Sequence, residues 1–486
     1  MCCAKEGLSI DSFHGGVNMS FSSDVVIGLE IHVELNTDSK MFCGCATRGE
    51  EIPNTRTCPV CLGHPGSKPV LNKGALLRGI KLCKALGCEL SDALVFARKS
   101  YFYPDMSKNF QVTQYDEPLG SGGSLQLRDG TRVGIMRVHL EEDPASLVHP
   151  SGMTNSDYVL IDYNRAGKPL AEIVTNPELT SPQQAREFLN ELSRILSYIG
   201  VYQQSGVIKA DANVSVRESG YTRVEIKNIT GFKEVQRALL YEIKRQKAVL
   251  RRGKSISQET RGWNPSSKTT IHMRTKESED DYGYVFEPDL SIVQEVKVLA
   301  EEVSLPELPF ERLQRFISVY GLSREDAEVM SSSRVLADLF EDLSKEHKSI
   351  DVARWLRREL LRVLNYASLS VEESPISSDS LSAVIDLVAS DKVSENTGQQ
   401  LMELLVEGSF DVGQYVEDEG LLQVTDSDEI QGLCEEVVEE FPEAVADVRS
   451  GEEKALNFLV GQVMRKSKGA AEPTQTRELL VSLVRE

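Results

Sequence analysis

The pattern of hydrophobic and polar positions changes near residue 290. Before that point, short β-rich runs alternate with Gly, Pro, Asn and Asp turns, which is typical of strands joined by tight connections. Two segments with helical character interrupt this region. The first spans about Ser181 to Ile199, with Ser181 as N-cap and Pro182 at the first helical position. The second begins near Lys233 and runs past Arg245.

After residue 290 the chain is acidic, and its apolar residues recur every three or four positions, which predicts helices. The clearest series is Val352, Leu356, Leu360 and Val363. We therefore predict an α+β protein in which a β-rich domain is followed by helical domains. The predicted division is an N-terminal extension over 1–19, a β-rich domain over 20–293, a helical domain over 294–375 and a helical tail over 376–486.

Composition narrows the class of protein. The chain has 486 residues, too many for one hydrophobic core, and a net charge of −21. This charge argues against a general electrostatic attraction to nucleic acid, so we expect no DNA binding and only local basic contacts with RNA. No apolar run approaches the roughly 18 residues that a membrane-spanning helix needs, and residues 1–19 lack the features of a signal peptide. We expect a cytoplasmic protein without membrane association.

The first predicted strand carries an unusual polar face. In the run from Val25 to Leu35, period-two alternation places Glu30, His32 and Glu34 together on one side. Carboxylates with one imidazole suit a hard cation such as Mg²⁺. The alternation alone favours a half-exposed strand with a solvated polar face, so both interpretations stay open.

Three later segments add isolated acidic residues. The acidic run Glu141-Glu142-Asp143 follows a predicted strand, Glu172 lies between apolar residues, and Asp211 shares a strand face with Asn213 and Ser215. A carboxylate buried in a strand needs a partner. Four strands that each offer a carboxylate indicate a metal-lined cradle more than four coincidences do, although the sequence does not show that the strands converge.

The cysteines carry a more specific signal. The pattern is Cys43-Gly-Cys45, twelve residues, then Cys58-Pro-Val-Cys61. In a reducing compartment, clustered cysteines are metal ligands more often than disulfides, and this spacing is close to that of a four-thiolate zinc site. Unliganded thiols are the alternative. We predict a structural zinc ribbon and assign it no catalytic role.

The segment Arg98-Lys-Ser-Tyr-Phe-Tyr-Pro-Asp places Lys99 beside three aromatic residues. In a strand, Tyr101 and Tyr103 would present a stacking face for a nucleotide base, and Lys99 would meet a phosphate. An ordinary aromatic strand end explains the composition equally well.

Some motifs are absent from the sequence. It contains no GxxxxGK[ST], no GxSxG and no Cys-His glutaminase signature, so any ATP site is not a P-loop and the chain shows no means of releasing ammonia from glutamine. Ser121-Gly-Gly-Ser124 is interpreted as a hairpin loop.

Several segments resemble, in order, the B subunit family of the aspartyl/glutamyl-tRNA amidotransferases. They are Ile27-Gly-Leu-Glu-Ile-His-Val-Glu-Leu, Tyr101-Phe-Tyr-Pro-Asp, His139-Leu-Glu-Glu-Asp, Asp162-Tyr-Asn-Arg-Ala-Gly, Glu225-Ile-Lys-Asn, Gln258-Glu-Thr-Arg, Asp280-Asp-Tyr-Gly-Tyr, Phe286-Glu-Pro-Asp and Lys454-Ala-Leu-Asn-Phe-Leu-Val-Gly-Gln-Val-Met-Arg-Lys. The resemblance covers nearly everything from Asp24 onward. The related archaeal E subunit carries a long inserted domain, which is absent here, because Asp289 leads directly into the helical region.

The resemblance implies a cradle-shaped, mostly antiparallel catalytic domain, a helical domain and a tail that holds the tRNA. It also implies a metal site for Mg²⁺ and a role for Lys99 near the phosphates of ATP. The implied metal ligands are Glu30, His32, Glu142, Glu172 and Asp211, of which Glu142 and Glu172 are also taken as catalytic.

The implied reaction activates the side-chain carboxylate of a misacylated glutamyl- or aspartyl-tRNA by phosphorylation, after which ammonia forms the amide. An amidase A subunit would supply the ammonia and a small C subunit would complete a heterotrimer. Two alternatives from other classes are a non-catalytic RNA-binding protein with a zinc ribbon and a structural assembly scaffold.

Overall fold

The structure is a computed structural model that describes residues 23–150, 156–202, 208–275, 282–422, 427–450, 452–467, 471 and 473–485. The predicted N-terminal extension, residues 1–19, lies outside these ranges. The chain divides into two compact units, Met1–Pro306 and Glu307–Glu486. The finer division into three domains stays a prediction. Within the described residues, no helix has both the length and the apolar character required to cross a bilayer.

The described residues of the first unit form fourteen strands and four α-helices. The strands are β1 Val25–Glu34, β2 Glu89–Leu90, β3 Ala97–Ser100, β4 Phe110–Thr113, β5 Gly120–Gln126, β6 Arg132–Glu142, β7 Ser146–Val148, β8 Leu160–Asp162, β9 Pro169–Thr175, β10 Lys209–Val216, β11 Val224–Lys227, β12 Glu259–Asn264, β13 Thr269–Thr275 and β14 Val285–Phe286. The helices are α1 Lys73–Ala85, α2 Pro182–Ile199, α3 Phe232–Arg251 and α4 Val296–Glu301.

Nine strands form one sheet in the order β13-β12-β11-β10-β1-β9-β6-β5-β2. All neighbours are antiparallel except β11 and β12, which are parallel. The alternation along β1 explains its central place, because Ile27, Leu29 and Ile31 are fully buried on one face. The opposite face of β1 carries Glu30 and His32.

Helices α1, α2 and α3 cover the apolar face of this sheet. Helix α2 confirms the first predicted helix: the hydroxyl of Ser181 accepts a hydrogen bond from the backbone N–H of Gln184 at 3.2 Å, and Pro182 occupies the first turn. Its apolar stripe, which includes Phe188 and Leu192, is fully buried. Because the helices lie on one side, the polar face of the sheet is free to form a site.

The prediction for Ser121–Ser124 was wrong, because these residues belong to strand β5. Gly122 has a φ of 72°, which favours glycine, whereas Gly120 and Gly123 are required by a close approach. A Cβ on Gly120 would lie 2.8 Å from the sulfur of Cys83, and one on Gly123 would lie 2.5 Å from the sulfur of Cys88.

The second unit is helical. Its helices are α5 Pro309–Ser318, α6 Arg324–Met330, α7 Arg334–Leu343, α8 Ser349–Trp355, α9 Leu361–Tyr366, α10 Ser378–Ala389, α11 Glu395–Glu407, α12 Val412–Asp418, α13 Ser427–Glu440, α14 Pro442–Arg449, α15 Glu453–Lys466 and α16 Pro473–Arg485. A π-helical segment, Leu356–Leu360, joins α8 to α9. Helices α13–α16 share a core around Cys434, Leu459 and Leu480.

The predicted apolar series of the second unit is a buried stripe that runs from α8 through the π-helical segment into α9, since all four residues are at most 4% exposed: Val352, Leu356, Leu360 and Val363. A nine-stranded, mostly antiparallel sheet followed by helices confirms the predicted α+β class.

Candidate active site

The polar face of the sheet forms the floor of a cavity of about 1030 Å³. Strands β1, β6, β9 and β10 supply its floor, and residues from 113–116 and 282–284 contribute to its wall. Its acidic end contains Glu30, Glu141 and Glu172, together with Lys99 and Lys227. The sequence had indicated carboxylates on separate strands, and the sheet register now brings several of them together.

The register explains the convergence. Glu172 on β9 lies opposite His32 on β1 and opposite His139 on β6, while Glu30 lies opposite Asp211 on β10. Residues directly opposite in an antiparallel pair point to the same face. One ligand atom from each of Glu30, His32 and Glu172 lies within 4.8 Å of the others. We call these three residues the acidic cluster.

The structure does not bring Glu142 into this cluster. Alternation along β6 places Glu141 on the same face as His139, and the Nε2 atom of His32 lies 3.5 Å from Oε1 of Glu141. The carboxylate of Glu142 instead accepts hydrogen bonds from Nζ of Lys108 and from the backbone N–H of Val112. Sequence reasoning thus missed Glu141, although the strand period carried the signal.

Asp211 lies beside the acidic cluster with a counter-ion of its own. Nζ of Lys227 is 2.7 Å from its carboxylate and 3.4 Å from that of Glu225. Both of these additional residues belong to the segment Glu225-Ile-Lys-Asn and line the cavity. The carboxylates of the site are therefore divided between those that meet a lysine directly and those that face one another.

The electrostatics fit a bound cation. Burial, and then repulsion from Glu141 and Glu30, raises the pKa of Glu172 to about 7. Burial also raises the pKa of Glu141. Burial by itself would raise the pKa of Glu30, but Lys227 and His32 hold it below the ordinary value. A divalent cation would remove the mutual repulsion, and carboxylate oxygens with an imidazole are a donor set suited to it, so the residues fit Mg²⁺.

Lys99 projects into the cavity, with its Nζ 4.7 Å from the centre of the Tyr282 ring. Burial opposes its charge, but the neighbouring Tyr284 hydroxyl and the surrounding carboxylates, among them Glu141, raise the net pKa of Lys99. The charged ammonium group of Lys99 therefore lies beside the carboxylates at physiological pH.

The aromatic segment after Lys99 is not a strand, because β3 ends at Ser100. Tyr101 packs edge-on against Tyr282 with ring centres 6.2 Å apart, whereas Tyr103 is 57% exposed. Neither residue lines the cavity. A different aromatic pair does: the rings of Tyr115 and Tyr284 stack with centres 4.0 Å apart and planes 14° apart.

The four predicted zinc ligands also come together. One ligand atom from each of Cys43, Cys45, Cys58 and Cys61 lies within 4.8 Å of the others. A hairpin, in which the N–H of Lys40 donates to the carbonyl of Cys45, brings in the first pair. A tight turn brings in the second pair. It ends at Gly63, whose φ of 69° and closeness to Lys108 exclude a side chain.

The four thiols do not share one electrostatic environment. The hydrogen bond with Cys61, and then burial, raise the pKa of Cys43, whereas burial and then the hydrogen bond with Cys58 raise the pKa of Cys45 to about 11. The Cys43 thiol, the backbone N–H of Cys58 and the charge of Lys40 together hold the pKa of Cys61 well below its ordinary value. Lys40 is fully buried, and its Nζ lies 3.6 Å from the Cys61 sulfur and 2.8 Å from the carbonyl of Arg56. Four converging thiols beside a buried cation fit a zinc ion.

Comparison with known proteins identifies the family of the chain. A family model of the GatB/GatE catalytic domain matches residues 25–301, and one of the GatB domain matches residues 338–484. The B subunit of the aspartyl/glutamyl-tRNA(Asn/Gln) amidotransferase of Carboxydothermus hydrogenoformans is 43% identical over 470 residues, 94% of this chain and 98% of the relative.

The proteins of the same name from Caldanaerobacter subterraneus and Halobacterium salinarum are 44% and 41% identical. Each covers 94% of this chain, and the matches span 98% and 96% of those relatives. Both halves of the chain are thus matched, over almost the full length of proteins that carry one name. The chain belongs to the family of aspartyl/glutamyl-tRNA(Asn/Gln) amidotransferase B subunits.

Proposed function

We propose that this chain is the B subunit of a tRNA-dependent amidotransferase that acts on misacylated Glu-tRNA(Gln), Asp-tRNA(Asn) or both. ATP phosphorylates the side-chain carboxylate of the aminoacyl group, and ammonia then displaces phosphate to give the amide. The acidic cluster at one end of a large cavity, in a chain about 43% identical to subunits of that name, supports this proposal.

The side chains of the site have distinct tasks in this reaction. Glu30, His32 and Glu172 are the residues that would hold Mg²⁺, with Glu141 rather than Glu142 as the further carboxylate that faces them. The cation, when bound, supplies charge neutralisation for the transferred phosphoryl group.

Two lysines complete the charge balance of the site. Lys99 places an ammonium group over the same end of the cavity, where it attracts phosphate oxygens. Lys227 holds Asp211 and Glu225 in place from the other side. With a cation bound to the acidic cluster as well, the carboxylate to be activated would meet a region whose own acids are compensated, which lowers the repulsion.

The remaining features are assigned by the same proposal. The cysteine cluster holds a structural Zn²⁺ that fixes the segment between β1 and α1. Tyr101 and Tyr103, which lie outside the cavity, are less suited to a nucleotide base than the stacked pair Tyr115 and Tyr284. An amidase A subunit and a small C subunit complete a cytoplasmic heterotrimer, and the tail over 376–486 binds the tRNA body.

The test uses the chain coexpressed with its A and C subunits and supplied with ATP and Mg²⁺. Glu-tRNA(Gln) and Asp-tRNA(Asn) are offered separately, with glutamine or ammonium chloride as nitrogen donor. We expect amide from both donors on at least one tRNA. A folded complex that forms no amide and hydrolyses no ATP in response to tRNA would instead support an RNA-binding scaffold.

A further inference from the structure

Arg137 and His139 both line the cavity, and each contains a buried nitrogen atom without a hydrogen-bond partner in the described part of the chain. Nε of Arg137 and Nε2 of His139 are shielded from solvent, yet neither has a hydrogen-bond partner among the described residues. His139 is only 5% exposed. Buried polar atoms are almost always satisfied in native proteins, so two unsatisfied nitrogens in the lining of one cavity indicate that these side chains turn towards a ligand that binds there.

Among the described residues, Arg137 also lacks a carboxylate partner. Some half-buried guanidinium groups of this unit meet carboxylates, as Arg165 does with Asp143 and Arg261 with Glu259 at 3.1 Å. Others, such as Arg186, donate to a neutral amide oxygen instead. Within the described ranges, Arg137 forms no ion pair, although the chain carries a net charge of −21. A guanidinium presents a planar set of donors that matches phosphate oxygens.

The position of Arg137 relates it to the acidic cluster. His139 lies opposite Glu172, and Arg137 is the next residue of β6 on the same face, opposite Val174. Two residues of a strand span about 7 Å. Arg137 therefore lies on the cavity floor one such spacing beyond His139. This distance is comparable with the length of a polyphosphate chain whose terminal phosphate lies at the acidic cluster.

We propose that Arg137 binds the polyphosphate chain of the nucleoside triphosphate, with His139 donating a second hydrogen bond to the same chain. This inference rests on the proposed function. The phosphodiester of the tRNA terminus is the other source of phosphate, but the ribose and the whole aminoacyl group separate it from the reacting carboxylate. It would therefore lie farther along the cavity than Arg137.

The experiment measures equilibrium binding to the assembled complex, with Mg²⁺, by isothermal titration calorimetry. One arm uses the β,γ-imido analogue of ATP and the other uses uncharged tRNA. We expect Arg137→Ala to weaken binding of the analogue 10- to 100-fold and to leave tRNA binding unchanged. Arg137→Lys, which keeps the charge but loses the planar donors, should weaken it less, about 5- to 10-fold. Arg128→Ala, a surface change in the same unit, should bind both ligands as the natural protein does.

The outcomes separate the two proposals. If the natural complex binds no nucleotide, the proposed function itself is overturned. If it binds the analogue and Arg137→Ala binds it equally well, or loses tRNA instead, the assignment of Arg137 to the nucleotide is overturned. Should Arg137→Ala fail to fold, as judged by thermal unfolding, Arg137→Lys decides: affinity equal to that of the natural complex contradicts the proposal, and a several-fold loss supports it.

Discussion

The two groups of candidate metal ligands are assembled in opposite ways. The cysteine cluster draws its four ligands from one continuous stretch between Cys43 and Cys61, through a hairpin and a turn. The acidic cluster draws Glu30, His32 and Glu172 from strands that are adjacent in space but more than a hundred residues apart in sequence. The first depends on local geometry and the second on sheet register.

This difference sets what each group can do. Thiols that converge on one point with a buried lysine behind them make a closed site, suited to holding a metal for stability. The carboxylates of the acidic cluster converge on the floor of an open cavity, which leaves room for a substrate. They also repel one another, and this repulsion favours the binding of a cation. The experiments below test whether the contrast holds, from the largest expected effect to the smallest.

The largest effect is expected from Glu172→Gln. Glu172 lies opposite both His32 and His139, at the centre of the acidic cluster. Loss of its charge should lower tRNA-dependent amide formation on the order of 1000-fold, about 4 kcal/mol of transition-state stabilisation, with tRNA binding unchanged. Amide formation by the assembled complex at saturating tRNA is the measurement. Glu89→Gln, at an exposed position of β2, is the control and should be fully active.

Activity of Glu172→Gln within tenfold of the natural protein would contradict a catalytic role for the acidic cluster. The two clusters would then not differ in function. Thermal unfolding of the variant completes the comparison. Relief of carboxylate repulsion should leave its stability equal or slightly higher in the absence of metal.

The adjacent residues Glu141 and Glu142 allow a catalytic role and a structural role to be compared between two neighbouring carboxylates. Glu141→Gln should lower amide formation about 100-fold, because this carboxylate faces His32. Glu142→Gln should instead lower the free energy of unfolding by about 2–3 kcal/mol, because it breaks a buried ion pair with Lys108. Activity assays and denaturant titrations on both variants are the measurements. If Glu142→Gln lost activity and Glu141→Gln lost only stability, Glu142 would belong to the site. The placement of Glu141 by strand alternation and sheet register would then be wrong.

This pair also shows how far the sequence alone could go. The fold class, the helix Pro182–Ile199 and the cysteine cluster follow from local patterns, namely capping, periodicity and spacing. The acidic residues could be named singly, because a carboxylate in a strand is conspicuous. Strand alternation alone places Glu141, and not Glu142, on the face of β6 that carries His139. That this face meets the acidic cluster depends on the pairing of β6 with β9, which no local pattern fixes.

The cavity contains residues that local patterns could not identify at all. Arg137 and Lys227 look like ordinary strand cations until the sheet places them around the acidic cluster. The interpretation of Ser121–Ser124 as a loop failed for a related reason. Glycines usually mark turns, but here Gly120 and Gly123 admit Cys83 and Cys88, contacts that only the packing of the helix and following turn reveals.

A smaller effect is expected from Cys61→Ser. The variant should lose the bound zinc, measured as equivalents per chain by elemental analysis. Its free energy of unfolding should fall by only about 2 kcal/mol, because the hairpin, the turn and the bonds of Lys40 remain. Amide formation at a temperature where the protein stays folded should change less than threefold. Cys434→Ser, in the helical tail, should keep its zinc. A large loss of activity in folded Cys61→Ser would show that the cysteine cluster is not merely structural.

The smallest effect concerns a carboxylate that already has its own cation, in contrast to the acidic cluster. Glu287 is 1% exposed and accepts two hydrogen bonds from Arg98, at 2.7 and 2.8 Å. Burial by itself would raise the pKa of Glu287, but Arg98 and the N–H of Asp289 hold it below the ordinary value of 4.5. Because the pKa is lower in the folded chain, this stabilisation is complete above about pH 4.5 and is lost as the pH falls through the folded value.

Arg98→Met should therefore lower the free energy of unfolding by about 1 kcal/mol at pH 7, and should flatten its decline between about pH 5 and 3. Denaturant titrations of the two proteins across this pH range are the measurement, with Arg128→Ala as the control that keeps the natural slope. An unchanged slope in Arg98→Met would mean that Glu287 is not held ionised by its neighbour. Glu287 would then no longer be an example of a carboxylate whose charge is balanced by a side chain of the protein, in contrast to the carboxylates of the acidic cluster.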